Sequence, residues 1–213
     1  MKREQAVRWV VAGCAAAVMA GCATTGYNQA GKMAANMQQT RQDVLDARSQ
    51  VTVTINALEA VSRVQVGDPR PVLATFSKEL ARLDKAAESA RWRAQNIRES
   101  GATYFASWAE EIEAMQNPGI RANSLKRREQ TIASYREVEK SLMALKDAYL
   151  PLVAGLRDIE KALLADLTKS GIAAVQPAQK AMRQKAVELQ TLMTQSLGVI
   201  DRVVADLNTG GTM

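Results

Sequence analysis

The sequence contains no histidine at all. Histidine is the most common general base and metal ligand in proteins, so its absence removes the chemistry used by many hydrolases and metal enzymes. Only two cysteines occur, Cys14 and Cys22, so the chain beyond them can form neither a cysteine zinc site nor a disulfide framework. The sequence also lacks a glycine-rich phosphate loop and a G-x-S-x-G motif. It therefore predicts a protein that is not an enzyme, with no catalytic residues, metal or cofactor.

Aromatic residues are equally scarce, at 4% of the chain, and there are only 12 glycines and 5 prolines. Much of the remainder is Ala, Leu, Gln, Glu, Lys and Arg, which have high helix propensities. Such a composition is typical of long helices with thin cores. The net charge of +6 is spread along the chain, which predicts a solvated surface and no nucleic-acid partner.

The beginning of the chain has the three parts of an export signal. Lys2, Arg3 and Arg8 form a positive start, residues 9–20 are uncharged and mostly apolar, and small residues lead to Cys22. This pattern predicts a secretory leader over residues 1–21. The apolar run is shorter than the roughly 20 residues of a transmembrane helix.

The four residues Met19-Ala20-Gly21-Cys22 resemble the lipobox of bacterial lipoproteins, although leucine is more usual at the first position. The resemblance implies cleavage between Gly21 and Cys22 and lipidation of the Cys22 thiol. Ala23 follows the cysteine in place of aspartate. By the enterobacterial sorting rule this implies a lipid anchor in the outer membrane, with the protein facing the periplasm.

A second match to the lipobox ends at Cys14, but it would leave only residues 9–13 as the apolar run. Cys22 is therefore the predicted lipidation site, and an ordinary secretory signal or a short anchor helix with an incidental cysteine is the alternative. We expect residues 22–27 to form the lipidated N-terminus and a tether. Residues 28–208 are predicted to form a helical bundle domain, and residues 209–213 a frayed tail.

Small or apolar side chains recur at steps of three and four in four segments: A (28–66), B (71–116), C (123–169) and D (177–207). This spacing keeps one narrow stripe facing a partner helix and produces a left-handed supercoil. The stripes run from Ala30 to Val61 in A, Leu73 to Met115 in B, Leu125 to Leu163 in C, and Met182 to Leu207 in D. Residues 51–55 alternate as in a strand, but the flanking repeats favour a helix.

Helix-breaking residues separate the segments, at 67–71, at 117–119, and at Ser170-Gly171 with Pro177 as the start of D. Connections this short make neighbouring helices antiparallel. The predicted fold is all-α: an elongated antiparallel helical bundle or coiled coil of about four long helices, roughly 60 Å in length. Pro151 is expected to kink or break segment C near Tyr149.

The stripe of segment B changes character along its length. Ala87, Ala90, Ala94 and Gly101 are small and are expected to let the helices approach closely in the middle of the bundle. Beyond them, Tyr104 and Trp108 would fill a wider end.

The chain from residue 108 onward is similar to the bacterial "domain of unknown function 2959" (DUF2959) family. The resemblance is carried by residues 108–113 (WAEEIE), 123–129 (NSLKRRE), Tyr135 and 150–158 (LPLVAGLRD). Members of that family are helical and often bear a lipobox, so the resemblance implies this fold and localisation over residues 28–208. It supplies no catalytic residues.

Two groups of charged residues lie near the junction of segments B and C. Lys126, Arg127 and Arg128 are candidates for contact with phosphates of lipid, lipopolysaccharide or nucleic acid, or are surface charge at a corner of the bundle. A basic group near the start of a helix opposes its dipole, at a cost of about 0.3–1 kcal/mol. The second group is acidic, at positions 110, 111 and 113. Without histidine it does not match the di-iron bundle pattern, and it is interpreted as a charged outer face.

Trp92 lies off the stripe of segment B, between Arg91 and Arg93. An exposed tryptophan of this kind can anchor a protein interface. Packing against a third helix of the same chain is the alternative.

These features predict a membrane-anchored periplasmic lipoprotein that acts as a structural or protein-interaction scaffold in the cell envelope. Its expected partners are the membrane, through the N-terminal lipid, and other envelope proteins or further copies of itself, with no small-molecule substrate. One alternative is a periplasmic ligand-binding or stress-sensing protein with a pocket between segments B and C. The other is an intracellular coiled-coil protein, which requires the leader to be non-functional.

Overall fold

A computed structural model describes residues 25–64 and 66–209. These residues contain five helices and no strand: α1 (Thr25–Ser62), α2 (Arg70–Glu113), α3 (Pro118–Ala165), α4 (Lys169–Ala174) and α5 (Gln176–Thr209). The all-α prediction is confirmed, and residues 51–55 are helical. The predicted leader, residues 22–24 of the predicted tether and residues 210–213 of the predicted frayed tail lie outside the described residues. Residues 25–27 of the tether belong to α1 and Thr209 belongs to α5, so both are helical rather than irregular.

The four long helices form an antiparallel bundle. Within the described residues, α1 packs against α2 and α5, and α3 packs against the same two helices. Asn36 contacts Ser100 while Gln50 contacts Glu79, which shows that α1 and α2 run in opposite directions. The longest helices span roughly 65–70 Å at 1.5 Å per residue. No helix in this part of the chain is both long and apolar enough to cross a membrane.

The core is divided into two hydrophobic clusters along the bundle. One joins the C-terminal halves of α1 and α3 to the first halves of α2 and α5, and Val51, Leu80, Leu156 and Leu189 lie at its centre. The second joins the other ends of these helices around residues such as Met37. We call the end that contains the start of α1 the proximal end, and the end with the α1–α2 turn and α4 the distal end.

The burial pattern confirms most of the predicted stripes and corrects three positions. Leu125 is 42% exposed and Ala90 is also exposed, although both were predicted to face the core. Phe105 is buried instead, and its neighbour Tyr104 is only half-buried. The predicted close approach in the middle of α2 is therefore wrong at Ala90, and α2 has no buried residue between Leu83 and Ile97.

The start of α3 differs from the sequence prediction. Asn117 is its N-cap, because the side-chain oxygen of Asn117 accepts hydrogen bonds from the N–H groups of Gly119 and Ile120. Pro118 suits the first position of a helix, where no hydrogen bond from its nitrogen is needed. The helix therefore begins at Pro118 rather than at residue 123.

The junction before α5 also differs from the prediction. Ser170 and Gly171 lie inside the short helix α4 rather than at a break. The break falls at Asp166, which has an extended backbone, and the Thr168 side chain then caps α4 by accepting a hydrogen bond from Gly171. An N-cap of this kind satisfies a free N–H group at the helix start, so a new helix forms here although it contains Gly171.

Pro151 does not interrupt α3, which is continuous from Pro118 to Ala165. A proline inside a helix removes the hydrogen bond to the carbonyl four residues earlier, here that of Asp147. Both Pro151 and Asp147 are exposed, so water can satisfy this carbonyl and the helix continues. The break that was one of the two expectations near Tyr149 is therefore absent, and the other, a kink at Pro151, stays a prediction.

A buried acid lies between α1 and α2. Glu79 is only 7% exposed, and its carboxylate accepts hydrogen bonds from Gln50 at 3.0 Å and from Arg82 at 2.7 Å. Thr54 donates to the Glu79 backbone carbonyl at 3.2 Å. The bond from Gln50 lowers the pKa of Glu79 most, burial opposes this effect, and Arg82 lowers the pKa further. The ionised form of Glu79 therefore contributes to stability.

Glu79→Gln is expected to remove part of the acid sensitivity of the fold. Because the folded-state pKa lies below the ordinary value of 4.5, the stabilisation is present above that pH and is lost as the pH falls through the folded-state pKa. Thermal melts at a series of pH values between about 7 and 3 would show the difference in Tm between wild type and variant shrinking on acidification. Exposed Glu88 provides the control, since Glu88→Gln should show no such convergence. A constant gap for Glu79→Gln would contradict the assignment.

Candidate functional site

The proximal end is built around an aromatic cluster between α2 and α3. The ring centroids of Tyr104 and Phe105 are 5.2 Å apart, those of Tyr104 and Trp108 are 5.5 Å apart, and those of Phe105 and Tyr135 are 5.4 Å apart. The Trp108 indole N–H donates to the Ser124 hydroxyl at 3.3 Å. As predicted, Tyr104 and Trp108 fill this end, but the cluster also contains Phe105 and Tyr135.

The Tyr135 hydroxyl reaches across to α2. It donates to the backbone carbonyl of Ile97, and burial raises the pKa of this phenol far above its ordinary value. The ring lies directly against Gly101, where a Cβ atom would be 2.3 Å from the Tyr135 Cζ. The predicted close approach at Gly101 is thus present, and it makes room for the tyrosine.

The three predicted basic residues have different surroundings. Lys126 and Arg127 are exposed, whereas Arg128 is half-buried and its Nε donates to the Phe105 backbone carbonyl at 3.0 Å. Arg128 therefore joins α3 to α2. Because α3 begins at Pro118, all three residues lie well inside the helix, and the expected unfavourable interaction with the helix N-terminus does not arise.

The proximal end also carries acidic and apolar groups. Glu110 and Glu113 are exposed and Glu111 is half-buried. No group of three or more acidic, cysteine or histidine residues in the described ranges could hold a metal ion. Ile120 is 58% exposed, close to the α2–α3 turn, and Leu125 is exposed as well. The surface of the proximal end therefore combines basic, acidic and apolar side chains.

Trp92 projects from the outer side of α2. It is 63% exposed, so it does not pack against another helix of the described chain, and that alternative is wrong. The Arg93 guanidinium carbon lies 5.7 Å from the centre of the Trp92 ring, within the range of a cation–π contact. Arg93 also forms an ion pair with Asp43 of α1. A large aromatic surface is thus held on the side of the bundle.

A cleft of about 300 Å³ lies between α1 and α5 near the distal end. Its lining combines two apolar residues of α1 with polar and charged side chains, namely Ile55, Leu58, Glu59, Ser62, Arg63, Gln176, Gln179, Lys180 and Arg183. The ligand-binding alternative predicted from the sequence has its pocket between segments B and C, which correspond to α2 and α3. This cleft lies on a different pair of helices.

One carboxylate in the cleft is shared by two guanidinium groups. Glu59 pairs with Arg63 at 2.7 Å and with Arg183 at 3.2 Å, while Lys180 adds a third positive charge to the lining. The Ser62 hydroxyl donates to the Gln179 side-chain oxygen at 2.5 Å. The Gln179 amide nitrogen is buried and has no hydrogen-bond partner within the described residues.

This cleft could not be predicted from the sequence because its lining residues are far apart in the chain. Arg63 follows the last residue of α1, whereas Lys180 and Arg183 occupy the first turns of α5. The antiparallel order predicts that the end of segment A lies beside the start of any segment antiparallel to it. This rule locates the cleft only if segment A is known to lie beside segment D. The apolar stripes do not specify which segments are neighbours.

The family model described as "Protein of unknown function (DUF2959)" matches residues 20–207. No curated protein and no solved structure is significantly similar to the chain. The match extends over most of the 213 residues and includes all five helices up to residue 207. The chain belongs to the DUF2959 family.

Proposed function

We propose that this protein is a lipid-anchored interaction rod of the bacterial cell envelope. In this proposal the leader is removed before Cys22, the Cys22 thiol is acylated, and the bundle faces the periplasm from the outer membrane. The protein acts without catalysis, by presenting its long sides to other envelope proteins or to further copies of itself.

The position of the first helix carries the proposal. α1 begins at Thr25, three positions after Cys22. Three residues span at most about 10 Å of extended chain, so an acyl group on Cys22 would hold the proximal end against the membrane. The family match begins at residue 20, beside the proposed cleavage site, so almost all of the proposed leader precedes the matched region.

The length and surface of the bundle support a role in interaction. Anchored at its proximal end, the rod would extend roughly 65 Å from the membrane. Trp92 lies 21 residues before the last residue of α2, Glu113, which places it roughly 30 Å along the rod. Large exposed aromatic residues are enriched among the anchors of protein interfaces, so the Trp92 side of α2 is the proposed contact surface.

Mass spectrometry of the protein purified from membranes tests the anchor. We expect an N-terminal peptide that starts at Cys22 and carries acyl chains. A mature chain that retains residues 1–21 without lipid would contradict the proposal and favour the intracellular coiled-coil alternative.

Photocrosslinking in living cells tests the contact surface. A photoreactive residue in place of Trp92 is expected to give a discrete adduct, because this position faces away from the core. Gln195 is exposed on α5, which does not pack against α2, so the same substitution there serves as a matched control with weaker adducts. Trp92→Ala should change the free energy of unfolding by less than about 0.5 kcal/mol, as expected for a surface residue. Equal adducts at Trp92 and Gln195 would exclude a specific surface on the Trp92 side of α2.

A further inference from the structure

We propose that the distal cleft between α1 and α5 binds a small organic phosphate, that is, a phosphate monoester on an apolar body. The lining contains three cations, Arg63, Lys180 and Arg183, and one carboxylate, Glu59. Its excess of positive charge favours an anionic ligand. This inference concerns the opposite end of the bundle from Thr25, the first residue of α1, and does not depend on lipidation.

The hydrogen-bonding capacity of the cleft favours an acceptor with several oxygens. Glu59 contacts one terminal nitrogen of each guanidinium, Nη2 of Arg63 and Nη1 of Arg183. Each guanidinium has five N–H donors, so most of them remain for a ligand. Both arginine side chains are accessible, at 75% and 69% exposure. A phosphate group presents three oxygens and a charge near −2, and it matches the fork geometry of arginine.

Two further side chains add donors to the cleft. Within the described residues Lys180 has no carboxylate partner within ion-pair distance, although it lines the same space. Gln179 also lines the cleft, and its buried amide nitrogen is a donor without an acceptor. A buried donor of this kind is costly unless an acceptor is supplied. Because this nitrogen has almost no accessible surface, a bound anion can accept from it only after the Gln179 side chain turns toward the cleft.

The apolar part of the lining indicates what the phosphate is attached to. Ile55 and Leu58 form the apolar floor of the cleft, and because they are core residues, 8% and 1% exposed, they offer a ligand only a small apolar area. The volume of about 300 Å³ is at the lower end of the range for small-molecule sites. It suits a ring or a short chain rather than a polymer. The cleft lies about 30 residues along α1 from Thr25, so roughly 45 Å separates it from the proposed anchor.

The proposal is tested by adding phenyl phosphate to the purified full chain in an uncharged detergent. Binding is followed by the backbone amide chemical shifts in NMR. We expect saturable shifts confined to the ends of α1 and α5 that line the cleft. Inorganic phosphate, which lacks the apolar body, should bind more weakly, and benzyl alcohol, which lacks the charge, should not bind. Shifts spread over the basic surface of the whole bundle, or no saturation, would overturn the site.

Charge variants distinguish the cleft from general attraction to a basic protein. Lys180→Gln and Arg183→Gln should each raise the Kd for phenyl phosphate about tenfold, as expected for loss of a charged hydrogen bond. Glu59→Gln should lower the Kd, because it removes the competing acceptor. Lys146→Gln changes the net charge equally at an exposed position of α3 and should leave the Kd unchanged. An equal effect of Lys146→Gln and Lys180→Gln would overturn the proposal.

The same measurement identifies the source of the phosphate. Vesicles of phosphatidylcholine with and without phosphatidic acid are added to the complex with phenyl phosphate. Displacement by the phosphatidic acid vesicles alone would assign the cleft to a lipid headgroup, and retention of phenyl phosphate would assign it to a soluble phosphate. Both results support a phosphate-monoester site, whereas displacement by phosphatidylcholine alone would overturn it.

Discussion

Cys22→Ser is expected to remove the protein from the outer-membrane fraction. Only a thiol can form the thioether to the diacylglyceryl group, so a serine at this position stays unacylated. Several acyl chains anchor a protein firmly, because each buried methylene contributes about 0.8 kcal/mol. Without them the variant should accumulate as an unlipidated chain, which immunoblots of separated membrane fractions and the mass of its N-terminal peptide would detect.

Cys14→Ser provides the matched control for this variant, since Cys14 ends the second, rejected lipobox match. It should be processed and anchored like the wild type. Both cysteines precede the described residues, which start at Thr25, and neither is needed for the described core, so both variants should keep the wild-type Tm. Loss of anchoring in Cys14→Ser together with normal anchoring of Cys22→Ser would move the lipidation site to Cys14.

Gly101→Ala is expected to destabilise the bundle by about 1–3 kcal/mol, the range for overpacking a well-packed core. The new methyl group would lie 2.3 Å from both the Cζ and the hydroxyl of Tyr135. The tyrosine cannot move away freely, because Phe105 packs against its ring and Ile97 accepts its hydrogen bond. For a chain of this size each kcal/mol lowers Tm by about 2–4 °C, so calorimetry should show a clear decrease.

Gly198→Ala separates this clash from the effect of alanine on a helix. Gly198 is an exposed residue of α5, and a Cβ there would meet nothing within 4 Å. Alanine at such a position stabilises a helix by roughly 0.5–1 kcal/mol relative to glycine. A second variant, Tyr135→Leu combined with Gly101→Ala, should show less than the sum of the two separate losses. If Gly101→Ala melted as high as Gly198→Ala, the close packing of Tyr135 on Gly101 would be wrong.

The repeat of apolar residues was sufficient to predict the four long helices and most of their buried faces. Met37, Val51 and Leu58 of α1 were all predicted to face the core and are at most 1% exposed. This works because a helix turns about 100° per residue, so the spacing of apolar residues defines a face whatever the partner is. The junctions were harder to predict, since Asn117 and Thr168 act through local hydrogen bonds that compete with nearby glycines and prolines.

An apolar stripe does not by itself decide burial at every level of the bundle. Leu125 continues the stripe of α3 and is 42% exposed, and Ala90 continues the stripe of α2 and is exposed as well. No residue of α2 between Leu83 and Ile97 is buried.

The amino-acid sequence by itself determined the helical class and most of the apolar faces, because both depend on residues close together in the chain. The proposal of lipid attachment rests on the same kind of local pattern. The tertiary structure alone placed α1 beside α5 and brought Glu59, Arg63 and Arg183 into one cleft. It also showed that Arg128 joins α3 to α2 and that Trp92 faces outward. The physical reason is that an apolar stripe specifies that a helix must be covered, but not which helix covers it or in what register.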